Sequence, residues 1–116
     1  ERMREHGSAE FEIVMLGVGP DGHVASLFPG SAALDVADRI AVGVTDSPKP
    51  PPERVSLTFA ALNRSRSVWF LVSGGAKAAA VSRAVGGADP HEVPAAGVAG
   101  LEETIWFLDR ASASAL

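Results

Sequence analysis

The chain has no cysteine. That single absence removes three kinds of chemistry at once: a disulfide-stapled scaffold, a thiolate zinc site and a cysteine nucleophile. It has no uninterrupted apolar run of the roughly 18 residues that a membrane-spanning helix needs. It also shows no basic-then-apolar leader, so nothing points to secretion. Positive charge is scarce. Ten Lys and Arg stand against 14 Asp and Glu for a net charge of −4, a balance that argues against a nucleic-acid-binding surface. Lysine occurs only at Lys49 and Lys77. What remains is the profile of a soluble, cytoplasmic globular protein. Its 116 residues suit one domain, and a chain of this size buries roughly two thirds of its unfolded surface. The hydrophobic share of 47% includes 20 alanines, so the core is less bulky than the percentage implies. The first residue is Glu1 rather than Met and the opening stretch is polar, which leads us to expect a piece cut from a longer chain.

Four short apolar runs stand out, at residues 11–17, 40–44, 68–72 and 104–108. Each is rich in β-branched or aromatic residues and bounded by Gly, Pro, Ser or Asp, and each reads as a strand. Runs without alternation suit strands buried on both faces, hence a parallel sheet covered by helices. The strongest helix signal spans residues 76–85, where Ala78, Val81 and Val85 share a face and Gly86-Gly87 supplies the stop. With the runs at 68–72 and 104–108 it forms a βαβ unit. A second helix is expected over 56–63, and a short helical turn after His23. Residues 111–116 are expected either to begin a terminal helix or to fray. Pro48-Lys-Pro-Pro-Pro52 is a stiff extended loop. Its PxxP pattern suits an SH3-type ligand, but within one small domain a rigid turn is the simpler reading.

The segment after the first strand, Gly17-Val-Gly19-Pro20-Asp21-Gly22-His23, carries the most chemistry. Sites in open α/β sheets form at the carboxyl ends of strands. Gly17, Gly19 and Gly22 permit positive φ and close approach of backbone to a ligand. Their GxGxxG spacing matches a dinucleotide fingerprint only superficially. Pro20 removes an amide, Asp21 would face a pyrophosphate with like charge, and Pro29 cuts short the long helix the fingerprint needs. Asp21 and His23 lie two residues apart. An imidazole, with an ordinary pKa of ~6.5, can take a proton from water near neutrality. A neighbouring carboxylate can orient the ring and stabilise its charged form; alternatively Asp21 caps the turn and His23 packs on it. His6 and His91 lack supporting ligands, and no metal site is expected.

From Val14 to Gly30 the sequence Val-Met-Leu-Gly-Val-Gly-Pro-Asp-Gly-His-Val-Ala-Ser-Leu-Phe-Pro-Gly resembles the signature of the 6-phosphogluconolactonases. The resemblance continues through Arg54-Val-Ser-Leu-Thr58, Trp69-Phe-Leu-Val-Ser-Gly74, Lys77-Ala78, Val93-Pro-Ala95 and Trp106-Phe-Leu-Asp109, so it covers about residues 11–110. It implies a Rossmann-like open, mostly parallel sheet with flanking helices, of the kind shared with glucosamine-6-phosphate deaminases. It implies cofactor-free hydrolysis of 6-phospho-D-glucono-1,5-lactone in the pentose phosphate pathway. It also implies that His23 is the general base with Asp21 beside it, and that Arg54 and Lys77 are cationic phosphate ligands. Family members are about twice as long, and this chain resembles their C-terminal half, without the upstream phosphate loop. The expected unit is thus the C-terminal portion of a single domain, over residues 1–116, inactive alone.

Two further choices bear on function. The deaminases carry a glutamate five residues after the motif histidine, where this chain has Phe28. Phenylalanine can neither orient an imidazole nor shuttle protons, whereas lactone hydrolysis needs only one base and donors for the carbonyl oxygen. Lys77 follows Ser73-Gly-Gly75 in the first helical turn, where a cation opposes the helix dipole by roughly 0.3–1 kcal/mol unless an anion sits there. Otherwise it is a solvated surface residue. Arg54 either holds phosphate oxygens in its planar fork or pairs with Glu53. Ser73 is no nucleophile elbow, because Leu71 stands where the preceding Gly must be; it is a helix cap or a phosphate donor. The alternative to an enzyme is a non-catalytic sugar-phosphate-binding module. Oligomeric state is left open.

Overall fold

The computed structural model describes residues 11–45, 47–48, 50–51 and 53–116. Three parallel strands, β1 (Ile13–Leu16), β4 (Ser67–Val72) and β5 (Glu103–Leu108), form a sheet in the order β1-β4-β5. The register pairs Leu16 with Phe70 and Phe70 with Trp106. β4 lies in the centre because its side chains can be buried: Val68, Phe70 and Val72 point into the core. Phe70 stacks on Trp106 at 4.0 Å between ring centroids. Full burial of such a side chain stabilises by roughly 1.5–3 kcal/mol. Val24, Leu27, Leu62, Val81 and Val93 complete this core.

The helix of the βαβ unit starts as a 3-10 turn over Gly75–Lys77 and continues as the longer α-helix, Ala78–Val85. Its inward residues are Ala78, Ala80, Val81 and Ala84, while Val85 is half exposed. The buried face is therefore rotated about the helix axis from the one that the spacing of 78, 81 and 85 suggests.

Three expectations are corrected. Residues 40–44 do not join the parallel sheet. β2 (Ala41–Val44) pairs antiparallel with β3 (Arg54–Leu57). The connection is a short proline-rich loop, too short for the crossover of a dozen or more residues that parallel pairing requires. Second, the helix expected over 56–63 shrinks to Phe59–Leu62, because β3 continues to Leu57 and Thr58 caps the helix by accepting the Ala61 amide at 3.2 Å. In chain order the helices are α1 (Phe59–Leu62) and α2 (Ala78–Val85). Third, no helix follows His23; a tight turn closed by a Val24–Leu27 bridge stands there, and a 3-10 turn comes at Ala32–Asp35. Residues 110–115 form turns, and no terminal helix begins there. Lys49, Pro52 and Asp46, which the proline-loop reading includes or adjoins, lie outside the described residues.

Only one face of the parallel sheet is covered among the described residues. The other carries Ile13, Met15, Leu71 and Phe107, all exposed, Met15 by 65%. Alternation along β1 and β4 is thus a property of this chain taken alone. Among the described residues no helix is long and apolar enough to cross a membrane.

Candidate active site

The site forms where β1 ends. The chain leaves Leu16 and doubles back within seven residues. The Gly19 amide donates to the His23 carbonyl at 3.0 Å, and the Gly22 amide donates to the Gly19 carbonyl at 2.9 Å. Gly22 adopts φ +87°, a conformation that disfavours any side chain, and a Cβ there would also lie 2.7 Å from Val93 Cγ1. Behind it the Ala95 amide donates to the Gly22 carbonyl at 2.9 Å, so the Val93-Pro94-Ala95 segment braces the turn.

Within this turn Asp21 Oδ1 accepts the His23 amide at 3.1 Å and lies 2.6 Å from His23 Nδ1. Partial burial alone would raise the Asp21 carboxyl. The hydrogen bonds from the His23 ring and amide, and the charge of the imidazolium, outweigh it and hold the group below the ordinary carboxylate range. A carboxylate is an acceptor only, so Nδ1 carries the hydrogen and Nε2 is left as the acceptor. The ring also rests against buried Phe28, 4.6 Å between centroids.

His23 lines an open cleft of about 700 Å³ together with Gly17, Gly19, Pro20, Ala25 and Lys77. Lys77 reaches it from the start of α2, and its Nζ donates to the Val18 carbonyl at 2.5 Å. One cleft therefore holds an oriented imidazole and an ammonium. A second hollow of about 370 Å³ is lined by Asp21, Phe28, Pro29, Ser31 and Pro48.

The other expected site residues are placed differently. Gly17 is exposed in the cleft wall. Gly19 and Gly22 spend their amides inside the turn, and only Gly22 of the three has positive φ. Their approach is to His23 and Val93. Arg54 does not line the cleft. Its guanidinium donates to the Pro51 and Pro50 carbonyls at 3.0 and 2.8 Å and lies over the Phe28 ring at 5.6 Å. Ser73 is exposed and is not a helix cap, since Gly74 precedes the 3-10 turn and Lys77 precedes α2.

Ser56 and Asp109, given no separate role by the sequence, brace the site from behind, and His91, expected to lack supporting ligands, has two carboxylates beside it. Ser56, buried in β3, accepts the Ser26 amide at 3.0 Å and ties the sheet pair to the loop. Asp109 accepts the Gly74 amide at 3.2 Å, and mainly the Ser112 amide and hydroxyl keep its carboxyl low. His91 repeats the Asp-x-His turn of the site: Asp89 accepts its amide at 2.9 Å. Here, however, Nε2 lies 2.6 Å from Asp35, so both ring nitrogens face carboxylates, and Asp35 chiefly raises the imidazole above its ordinary value. That histidine joins two loops and has no nitrogen left for chemistry. Among the described residues no group of three or more potential ligands could hold a metal.

An open parallel sheet with an imidazole–carboxylate pair at the carboxyl end of a strand sets the chain among α/β proteins whose sites form at strand ends. Within that class, the family model described as glucosamine-6-phosphate isomerases/6-phosphogluconolactonase matches residues 1–106, and the chain belongs to this family. It is 56% identical over 106 residues to the 6-phosphogluconolactonase of Mycobacterium tuberculosis, covering 91% of this chain and 43% of that protein. Against the human 6-phosphogluconolactonase it is 44% identical over 107 residues, covering 91% and 42%. A solved 6-phosphogluconolactonase from Thermotoga maritima superposes with a TM-score of 0.78 at 36% identity, covering 91% of this chain and 46% of that one. The chain spans less than half the length of these relatives.

Proposed function

We propose that this chain is one portion of a single α/β domain whose full-length form is a cytoplasmic enzyme hydrolysing 6-phospho-D-glucono-1,5-lactone to 6-phosphogluconate in the pentose phosphate pathway, without a cofactor. The observation that carries this reading is the His23 imidazole, 2.6 Å from the Asp21 carboxylate, lining the same cleft as Lys77. His23 Nε2 accepts a proton from water as the water oxygen bonds to the lactone carbonyl carbon. The resulting tetrahedral oxyanion collapses, the bond to the ring oxygen breaks, and the imidazolium returns the proton to that oxygen as it leaves. Asp21 holds the ring and stabilises its charged form. Lys77 receives the phosphate while keeping Val18, since an ammonium has three donors; Arg54 is the second cation, reached across Phe28, and Ser73 and the Gly17 backbone complete the substrate contacts.

A deaminase of the same family is the alternative enzyme, and Phe28 opposes it: its ring packs on His23 where a proton-carrying carboxylate would have to stand. A non-catalytic sugar-phosphate module is the second alternative, and turnover of the lactone separates it from an enzyme. The test is to give the full-length protein the phosphorylated δ-lactone and, separately, glucosamine 6-phosphate. The expected result is acid release from the first above its spontaneous rate and no ammonia from the second. Ammonia release, or sugar-phosphate binding without turnover, would overturn the reading. Residues 1–116 alone should bind and hydrolyse nothing, because the exposed sheet face bearing Met15 and Phe107 is proposed to be covered by the rest of the domain.

A further inference from the structure

Gly19 is buried, and both of its backbone polar groups are consumed within the turn that carries the base. A Cβ built on it would overlap Cε1 and Nδ1 of His23 and lie 2.9 Å from Asp21 Oδ1. Its φ is outside the left-handed region, so the backbone at this position would accept an alanine. What excludes a side chain is the imidazole itself. The ring cannot give way cheaply: moving off Gly19 breaks the 2.6 Å contact with Asp21, and buried Phe28 packs against the ring as well. Gly19 thus differs from Gly22, where the backbone conformation demands glycine, and from Gly43 in β2, where a Cβ would meet nothing within 4 Å.

We infer that Gly19 is a positioning residue for the base: by lacking a side chain it seats the His23 imidazole in register with Asp21, and it acts through that ring and not through contact with substrate. The inference rests on the reading of His23 as general base.

The test is a double-mutant cycle in the full-length enzyme, with Gly19→Ala, His23→Ala, the double variant and Gly43→Ala as control. Activity, KM, Tm and the long-range 1H–15N spectrum of the imidazole are read. Gly19→Ala is expected to lower kcat roughly 10- to 100-fold, as a misplacement near 1 Å does. KM should stay within about threefold, and the Nδ1 resonance should move. In the His23→Ala background, where the overlapping ring is gone, Gly19→Ala should cost little further activity or Tm. Gly43→Ala should match the parent. If Gly19→Ala alone does not fold, recovery of folding in the double variant supports the inference. Unchanged kcat and Nδ1 resonance, a raised KM at constant kcat, or an undiminished penalty in the His23→Ala background would overturn it. A His23→Ala enzyme that keeps its kcat would instead refute the base, and the Nδ1 resonance of Gly19→Ala would still decide the seating.

Discussion

Replacing Asp21 by Asn asks what a carboxylate does that an amide of the same shape cannot. Asp21 Oδ1 accepts two hydrogen bonds, from the His23 amide at 3.1 Å and from the ring at 2.6 Å. The amide oxygen can still accept both, but charge-assisted bonds are about twice as strong as neutral ones. The ground-state loss is therefore of order 1–1.5 kcal/mol, or about tenfold. The loss grows when the imidazole takes up a proton, because the neutral amide cannot stabilise the cation. An Asn rotated to donate its NH2 to Nδ1 also moves the ring hydrogen to Nε2 and disables the base. Together these predict a fall in kcat of roughly 10²–10⁴ with KM little changed. Hydrolysis followed by pH-stat, with the spontaneous rate subtracted, measures it. There is a pH signature as well. The folded carboxyl lies below its unfolded value, so its contribution to stability is present above an unfolded pKa of ~3.9 and is lost as pH falls through the lower folded value. The Asn variant should lack that acid limb in a Tm-against-pH series. A kcat within about threefold of the parent would show that the short contact only shapes the turn.

Three further outcomes follow from the same geometry. Lys77→Ala and Arg54→Ala in the full-length enzyme should each weaken use of the phosphorylated lactone by an amount equivalent to roughly 1.5–3 kcal/mol, and hardly affect the unphosphorylated lactone. The Lys77 effect should be the larger, because Lys77 stands in the cleft and Arg54 is tied to prolyl carbonyls; equal losses on both substrates would make these residues structural. Ser65→Ala should raise stability by up to roughly 1 kcal/mol in calorimetry, because the buried Ser65 hydroxyl has no hydrogen-bond partner among the described residues; a clear loss would refute this. The His91 link between the loops at Asp35 and Asp89 should be strongest at acid to neutral pH and fade as pH rises through the elevated imidazole value, read as faster exchange of the Gly30 amide, which donates to the His91 carbonyl; pH-independent exchange protection would refute it.

The parallel sheet was legible because β1, β4 and β5 are short apolar runs, and the Asp21–His23 pair because both groups lie in one tight turn. β3 was not, for a physical reason. Its pattern is inverted: apolar Val55 is 77% exposed and polar Ser56 is buried. Ser56 is inside because its hydroxyl serves the Ser26 amide, a contact across thirty residues that no local pattern announces. The run ending at Val44 looked like its parallel counterparts, since composition is blind to strand direction and only the short proline loop that follows tells them apart. The glycines were readable as a cluster but not as individuals. Nothing in the spacing distinguishes Gly22, fixed by its φ, from Gly19, fixed by a ring that returns over it four residues later. The His91 latch left a local sign, a second Asp-x-His, but its third member Asp35 is 56 residues away.

If the His23 ring, held by Asp21, activates water on a phosphorylated lactone, removing the ring must remove the turnover. The most direct measurement is the turnover of the full-length enzyme carrying His23→Ala, at neutral pH, against the parent, with the spontaneous hydrolysis subtracted and folding checked by Tm. The expected result is a folded protein with KM near that of the parent and kcat lower by roughly 10²–10⁴. A folded variant that turns over the lactone at close to the parental rate would contradict it.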